Sequence, residues 1–242
     1  MPPIYAVGDI HGQIGQLERV LELIERDGGG QVVFLGDYVD RGPDSRGVIQ
    51  KLVDGVAAGR DWVCLKGNHD RQFEWFLDTP AKHDPHLLIG FHWFHERIGG
   101  VQTMESYGLS LPDQTRFKDF GLAAQEVVPQ SHVDFLRGLH LSYEAGDLFF
   151  CHAGIKPGVP LEAQDEEDLL WIRQPFHAYT EPHPKLIVHG HTPVEAATHY
   201  GNRVNLDTGA GYGRPLTVAV FEGGEVFALT DRGRVLLSAA VG

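Results

Sequence analysis

The sequence predicts an α/β (α+β) protein, and two observations carry that prediction. Short apolar runs alternate with amphipathic helical stretches in the N-terminal part, which implies a parallel sheet with helices packed on it. The C-terminal part turns to closely spaced strands, "RVNL", "LTVAVF" and "EVFALT", which read as an antiparallel meander.

The strands are taken in order as "IYAV", "QVVFL", "DWVCL", "DLFF", "KLIV" and the three of the meander, from their length and their β-branched and aromatic content. Gln16 to Arg26 keeps Leu17, Val20, Leu21 and Ile24 on one helical face, and Gly28, Gly29 and Gly30 end that helix. Ser45 to Val56 reads as a second amphipathic helix. Gly223-Gly224 predicts a hairpin between the last two strands. Residues 71–146 are aromatic-rich and broken by Pro80, Pro85, Pro112 and Pro129, and they are expected to form a mostly helical insertion in a single domain spanning 1–242.

Composition narrows the function. A chain of 242 residues, 42% hydrophobic and 22% charged, can bury a sizeable core. A formal charge of −13 argues against sequence-independent binding to nucleic acid or to an anionic membrane. The chain enters an apolar run at once, without a basic leader or a run long enough to span a bilayer, so a cytoplasmic location is expected. Cys64 and Cys151 each sit inside an apolar run and are expected as buried free thiols.

The chemistry follows the strands. Asp9 and His11 end the first in "GDIHG"; two apart in an extended chain, their side chains are expected to point the same way. Asp37 and Asp40 follow the second in "GDYVDRG". Asn68, His69 and Asp70 follow the third in "KGNHD", and His152 follows the fourth in "CHAG". His189 and His191, in "VHGHTP", follow the fifth, and on periodicity alone either could face the site. Such polar groups collect at the C-terminal edge of an α/β sheet, where crevices form. Carboxylates, imidazoles and an amide oxygen, without clustered thiolates, suit divalent ions such as Mn²⁺, Fe²⁺ or Zn²⁺.

In this order "GDIHG", "GDYVDRG" and "GNHD" resemble the signature of the phosphoprotein phosphatase family of calcineurin-like metallophosphoesterases, and "CHAG", "WIR", "GHTP" and "NLDTGAGYG" continue the likeness. The resemblance implies a two-sheet β-sandwich flanked by helices, with a dinuclear metal site at one sheet edge. It implies two metal ions, divalent Mn²⁺ first, with Fe²⁺, Fe³⁺ or Zn²⁺ as alternatives, and direct attack by metal-bound hydroxide. Asp9, His11 and Asp37 would hold the first ion, Asp37 would bridge, and Asn68, His152 and His191 would complete the second. His191 is preferred over His189 because it directly follows the glycine. His69 would protonate the leaving oxygen, oriented by Asp40, and Arg41 and Arg173 would clamp phosphate oxygens. Asp70 stands where relatives often carry Glu, and it is expected to brace Arg41 while leaving the metals unaffected.

Three functions are compatible with these motifs. The resemblance to bacterial and phage members favours a serine/threonine protein phosphatase acting on phosphorylated protein. A symmetrical dinucleoside tetraphosphatase acting on a nucleotide substrate is the alternative. A non-catalytic scaffold is disfavoured, since no ligand and no general acid is missing. The remaining features carry blander expectations: His92 and His95 on an aromatic helix, "EAQDEEDLL" as a solvated surface, Tyr212 as a structural aromatic near the site.

Overall fold

A computed structural model describes residues 2–111 and 116–239. Pro112, counted above among the breaks of the insertion, lies outside them.

The N-terminal alternation comes out as β1 (Ile4–Val7), α1 (Ile14–Arg26), β2 (Gln31–Phe34), α2 (Ser45–Ala57), β3 (Trp62–Cys64) and α3 (Asn68–Asp78). Three helices follow, α4 (Gly100–Ser106), α5 (Phe117–Val127) and α6 (Gln130–Arg137). Then come β4 (Ser142–Ala145), β5 (Leu148–Cys151), α7 (Glu166–Trp171), β6 (Leu186–His189), β7 (Thr198–His199), β8 (Arg203–Asn205), β9 (Val218–Glu222), β10 (Glu225–Thr230) and β11 (Gly233–Leu236). Helix α2 starts at an Asp44 side chain that accepts the Gly47 N–H, the expected device for an unsatisfied first turn.

The strands form two mixed sheets, ordered β11-β10-β9-β1-β2-β3 and β4-β5-β6-β8-β7. Strands β1, β2 and β3 are parallel, as the alternation predicted. Period two then builds the layers. Ile4 and Ala6 of β1 join Val33, Phe150, Val188, Val204 and Ala219 in a core between the two sheets. Tyr5 and Val7 point the other way, into a core with Leu17, Val20 and Ile24 of α1 and the aromatic residues Phe73 and Trp93. Leu169, Ile172 and Phe176 cover the outer face of the second sheet. The result is a two-sheet sandwich flanked by helices.

The C-terminal meander needs correction. Strand β8, which carries "RVN", pairs in parallel with β6 in the second sheet, and the antiparallel meander is β9-β10-β11. A strand's own residues state that it is extended, while the partner is chosen by what it packs on; Val204 fills the core between the sheets. The half-exposed strand β4, "SYEA", lacked the apolar run that marks a strand. His92 and His95 lie in turns rather than on a helix. Cys64 and Cys151 are both buried and free.

Candidate metal centre

The site is assembled from the loops that leave β1, β2, β3, β5 and β6 at their C-terminal ends. These loops are bound to one another: the Asp37 carbonyl accepts the N–H groups of Ile10 and His11 at 3.0 and 2.8 Å. The backbone is forced where the candidates sit. Among the described residues, the non-glycine residues with positive φ are His11 (47°), Asp37 (53°), Asp40 (75°), Arg41 (67°) and His191 (67°), every one of them predicted from sequence for the site. Such conformations cost about 1–3 kcal/mol each and persist only where surrounding contacts over-determine them.

Strand alternation is not what brings Asp9 and His11 together. His11 stands in a left-handed turn, so it shares a site with Asp9 through chain reversal and not through strand alternation. The same holds for the histidine pair. His189 ends β6, whereas His191 lies beyond Gly190 with positive φ, so the two rings part. Gly190 permits the approach, because a Cβ there would fall 1.9 Å from Asp9 Oδ1. The His191 N–H donates to Asp9 Oδ2 at 3.0 Å.

Two groups of donor atoms gather on Asp37. His11, Asp37 and His69 form one, and Asp37, His152 and His191 the other, with the potential ligand atoms of each within 4.8 Å of one another. His11 Nε2 lies 3.5 Å from Asp37 Oδ2, and His152 Nε2 lies 3.5 Å from Asp37 Oδ1. Asn68 Oδ1 lies 3.0 Å from His152 Nε2 and 2.9 Å from His191 Nδ1. Backbone carbonyls set the tautomers: Nδ1–H of His11 donates to Val39 O at 2.8 Å, and Nδ1–H of His152 to Leu35 O at 2.9 Å. Each ring therefore turns an Nε2 lone pair inward, the usual arrangement of a metal-binding histidine.

The electrostatics of the donor set suit a cation. Burial pushes the Asp9 carboxyl well above its usual range, and the nearby Asp207 and Asp37 push it further. Burial drives His11 and His191 down, Arg41 adding to the first and His152 to the second. Crowded carboxylates and neutral imidazole lone pairs are both relieved by a shared divalent ion. Asp207 was missed in the sequence. It is buried, follows β8, and accepts the Gly209 N–H at 2.8 Å. Its signal was the same post-strand position in "NLDTG" that exposed the other acids.

Beside these groups stands a second constellation. His69 Nδ1–H donates to Asp40 Oδ2 at 2.6 Å, and His69 Nε2 accepts from Arg41 Nη2 at 2.9 Å. Arg41 Nη1 donates to His11 Nε2 at 2.7 Å, and the exposed Tyr212 ring lies over the guanidinium, 4.9 Å from its carbon. Burial pushes Asp40 up to about 7 and His69 down to about 3, with Arg41 adding to the latter. Donors from Thr103 and Trp93 oppose the shift of Asp40. With His69 they bring three side-chain donors to one carboxylate, and we take Asp40 as the ionised partner. Arg173 is exposed just past α7, close enough for its charge to depress His191.

Two expectations fail here. Asp70 does not brace Arg41. Its Oδ2 accepts the N–H groups of Asp37 and Gly67 at 2.8 and 2.9 Å, and its Oδ1 that of Tyr38 at 2.9 Å. At the third position of α3 its short side chain folds back over the helix start, so it serves the loop that carries Asp37. The acidic run is not merely solvated either. Glu167 Oε1 accepts from the fully buried Arg71 at 2.8 Å, and Glu166 lies 3.5 Å from the same guanidinium.

A family model described as calcineurin-like phosphoesterase matches residues 2–221. The chain belongs to that family. Phosphatase-named relatives agree, and the protein is a hydrolase of phosphate esters. It is 26% identical to an asymmetrical bis(5′-nucleosyl)-tetraphosphatase of Oceanobacillus iheyensis, over 93% of this chain and 91% of the relative. It is 42% identical to a candidate serine/threonine-protein phosphatase of Caenorhabditis elegans, over 69 residues, 28% of this chain and 19% of the relative. A crystal structure of a candidate diadenosine tetraphosphatase shares the fold, with a TM-score of 0.65 and 22% identity over 93% of this chain and 92% of that one.

Proposed function

We propose that this protein is a metal-dependent hydrolase of dinucleoside tetraphosphates, built as one domain over residues 1–242 with two ions, Mn²⁺ first among them. One observation carries the choice of substrate. The sequence likeness to the tetraphosphatase of Oceanobacillus iheyensis extends over nearly the whole chain, whereas the sequence likeness to the Caenorhabditis elegans protein phosphatase covers 69 residues. Phosphate-handling motifs are common to both classes, and recognition belongs to the surrounding segments. The dinucleoside polyphosphate reading therefore ranks above the serine/threonine protein phosphatase favoured from the motifs.

The residues divide the work. Asp9, His11 and Asp37 would hold one ion, and Asp37, Asn68, His152 and His191 the other. Bound divalent ions supply positive charge for phosphoryl oxygens and lower the pKa of water. Arg41 and Arg173 bind phosphoryl oxygens with planar, always-charged donors. For His69 to give a proton to the leaving oxygen it must first gain one at Nε2, where it accepts from Arg41, and an ionised Asp40 at Nδ1–H favours that charge.

The aromatic cavity lined by Trp75, Phe76, Trp93 and Phe117 has about 70 Å³, far below the roughly 300 Å³ at which ligand pockets begin. On this reading the base rests on the open rim, where His86 stacks on Trp171 at 5.1 Å and Trp171 meets His191 edge-on at 5.8 Å. The test is turnover of diadenosine tetraphosphate and of phosphoserine peptides with Mn²⁺, with chelated enzyme as control. Conversion to a nucleoside triphosphate and a monophosphate identifies asymmetrical cleavage, and two diphosphates the symmetrical kind. A higher kcat/KM on the phosphopeptides would overturn the reading.

A further inference from the structure

Asp40 is held from outside the loop that carries it. Trp93 precedes α4 and Thr103 lies within it, and both reach the same carboxylate. Trp93 Nε1–H donates at 2.9 Å to Oδ2 and lies 3.1 Å from Oδ1, and Thr103 Oγ1 donates to Oδ1 at 2.7 Å. The Thr103 hydroxyl also accepts the Asp40 N–H at 2.8 Å, and Ser45 Oγ accepts it at 3.1 Å. Asp40 is 0% exposed, so these groups and His69 replace water around it.

The pattern of donors favours one state. Both oxygens of Asp40 are approached by N–H or O–H groups, and an indole N–H can only donate. A proton on Oδ2 would meet the indole and imidazole N–H groups in place of an acceptor, and one on Oδ1 would require the Thr103 hydroxyl to reverse, donating to Ser45 Oγ at 3.1 Å instead. The orientation is equally restricted. Asp40 holds a left-handed φ of 75°, which its own backbone does not favour, so outside contacts must maintain it. The Trp93 ring that provides one of them is itself fixed, stacked on Phe73 at 5.3 Å and packed on Phe76 at 4.9 Å. A Cβ on Gly100 would fall 2.6 Å from that indole, so the helix start is shaped to the ring.

We propose that Trp93 and Thr103 are positioning residues that hold the Asp40 carboxyl group aimed at His69 Nδ1, and so set the orientation of the leaving-group acid. The proposal rests on His69 being the leaving-group acid. Its consequence is selective, because a donated proton matters most when the leaving group is a poor one.

The experiment uses Trp93→Phe, which keeps an aromatic ring and deletes the N–H, and Thr103→Val, which keeps the shape and deletes the hydroxyl. Thr103→Ser restores a hydroxyl, and His69→Ala reports on the acid itself. Each variant is assayed with Mn²⁺ on 4-nitrophenyl phosphate, a good leaving group, and on phenyl phosphate, a poor one. Bound metal is measured by elemental analysis and folding by circular dichroism. Trp93→Phe and Thr103→Val are expected to lose about tenfold or more in kcat on phenyl phosphate, less than the roughly 10²–10⁴-fold of a whole proton transfer because the acid itself remains, and distinctly less on 4-nitrophenyl phosphate. KM and metal content stay within about twofold, and Thr103→Ser recovers most of the loss. Equal losses on both substrates, loss of metal, or no loss in both folded variants would overturn the proposal, provided His69→Ala is selective for phenyl phosphate. If His69→Ala loses both activities equally, the acid assignment fails and the proposal falls with it. Two variants of unrelated chemistry guard against a folding failure in one.

Discussion

Asp70 Oδ2 accepts the backbone N–H of Asp37 at 2.8 Å, so one buried carboxylate holds the residue on which both donor groups converge. The same oxygen takes the Gly67 N–H, and Oδ1 takes that of Tyr38. The start of α3 and the turn after β2 are thus joined by the Asp70 side chain, alongside the His69 N–H that Asp37 Oδ1 accepts at 3.0 Å.

Asp70→Asn is expected to disturb metal binding as well as stability. An amide retains one acceptor oxygen and turns an N–H₂ toward a backbone N–H, leaving buried donors unmatched at a cost of about 1–3 kcal/mol. Metal titration and denaturant unfolding should show weaker binding together with a lower midpoint. Unchanged metal affinity would return Asp70 to a purely structural role.

His191→Ala and His189→Ala should separate cleanly. His191 lies 2.9 Å from Asn68 Oδ1, whereas His189 Nε2 accepts from the buried Arg203 at 3.2 Å, away from the donor groups. Removing His191 should weaken metal binding by more than the roughly 10–100-fold typical of losing an outer hydrogen-bond partner. Removing His189 should leave the metal content intact and lower stability by about 1–3 kcal/mol, since Arg203 loses its acceptor. Elemental analysis and thermal unfolding of both variants decide the ranking.

Arg71→Ala should be the most destabilising of these changes. Arg71 is 1% exposed and Asp84 2%, and they meet at 2.8 Å beneath Glu167. Truncating one member leaves a buried charge unpaired, a loss of about 3–5 kcal/mol. Arg71→Met with Asp84→Leu should recover much of it, because replacing both members leaves no lone charge. Chemical denaturation of the single and double variants gives the measurement.

His132 should make stability fall in acid. Burial lowers its pKa to about 4 between the Tyr107 hydroxyl and Gln50, against the 6.5 usual for histidine. Between those values the unfolded chain binds the proton and the folded one does not, so its contribution is complete above pH 6.5 and is lost as pH falls toward 4. His132→Gln should flatten the pH dependence of unfolding there by up to about 1.4 kcal/mol per pH unit. An unaltered slope would show that other groups carry it.

Much of the site could be read along the chain because each strand ends where its chemistry begins. Asp9, His11, Asp37, Asn68, His152 and His191 were marked by residue type and by position after an apolar run. Asp207 obeyed the same rule in "NLDTG" and was passed over. The sequence by itself determined the strand–helix alternation, the two amphipathic helices, the hairpin at Gly223-Gly224 and which residue types meet at one sheet edge. These are properties of local pattern and period. Tertiary structure was needed to show that β8 joins β6 and not the meander, that His189 faces Arg203, that Asp70 serves Asp37, and that Trp93 and Thr103 reach Asp40. Each of these is a choice of partner across tens of residues, settled by burial and by the demand that every buried donor find an acceptor, and neither requirement is written in the neighbours of a residue.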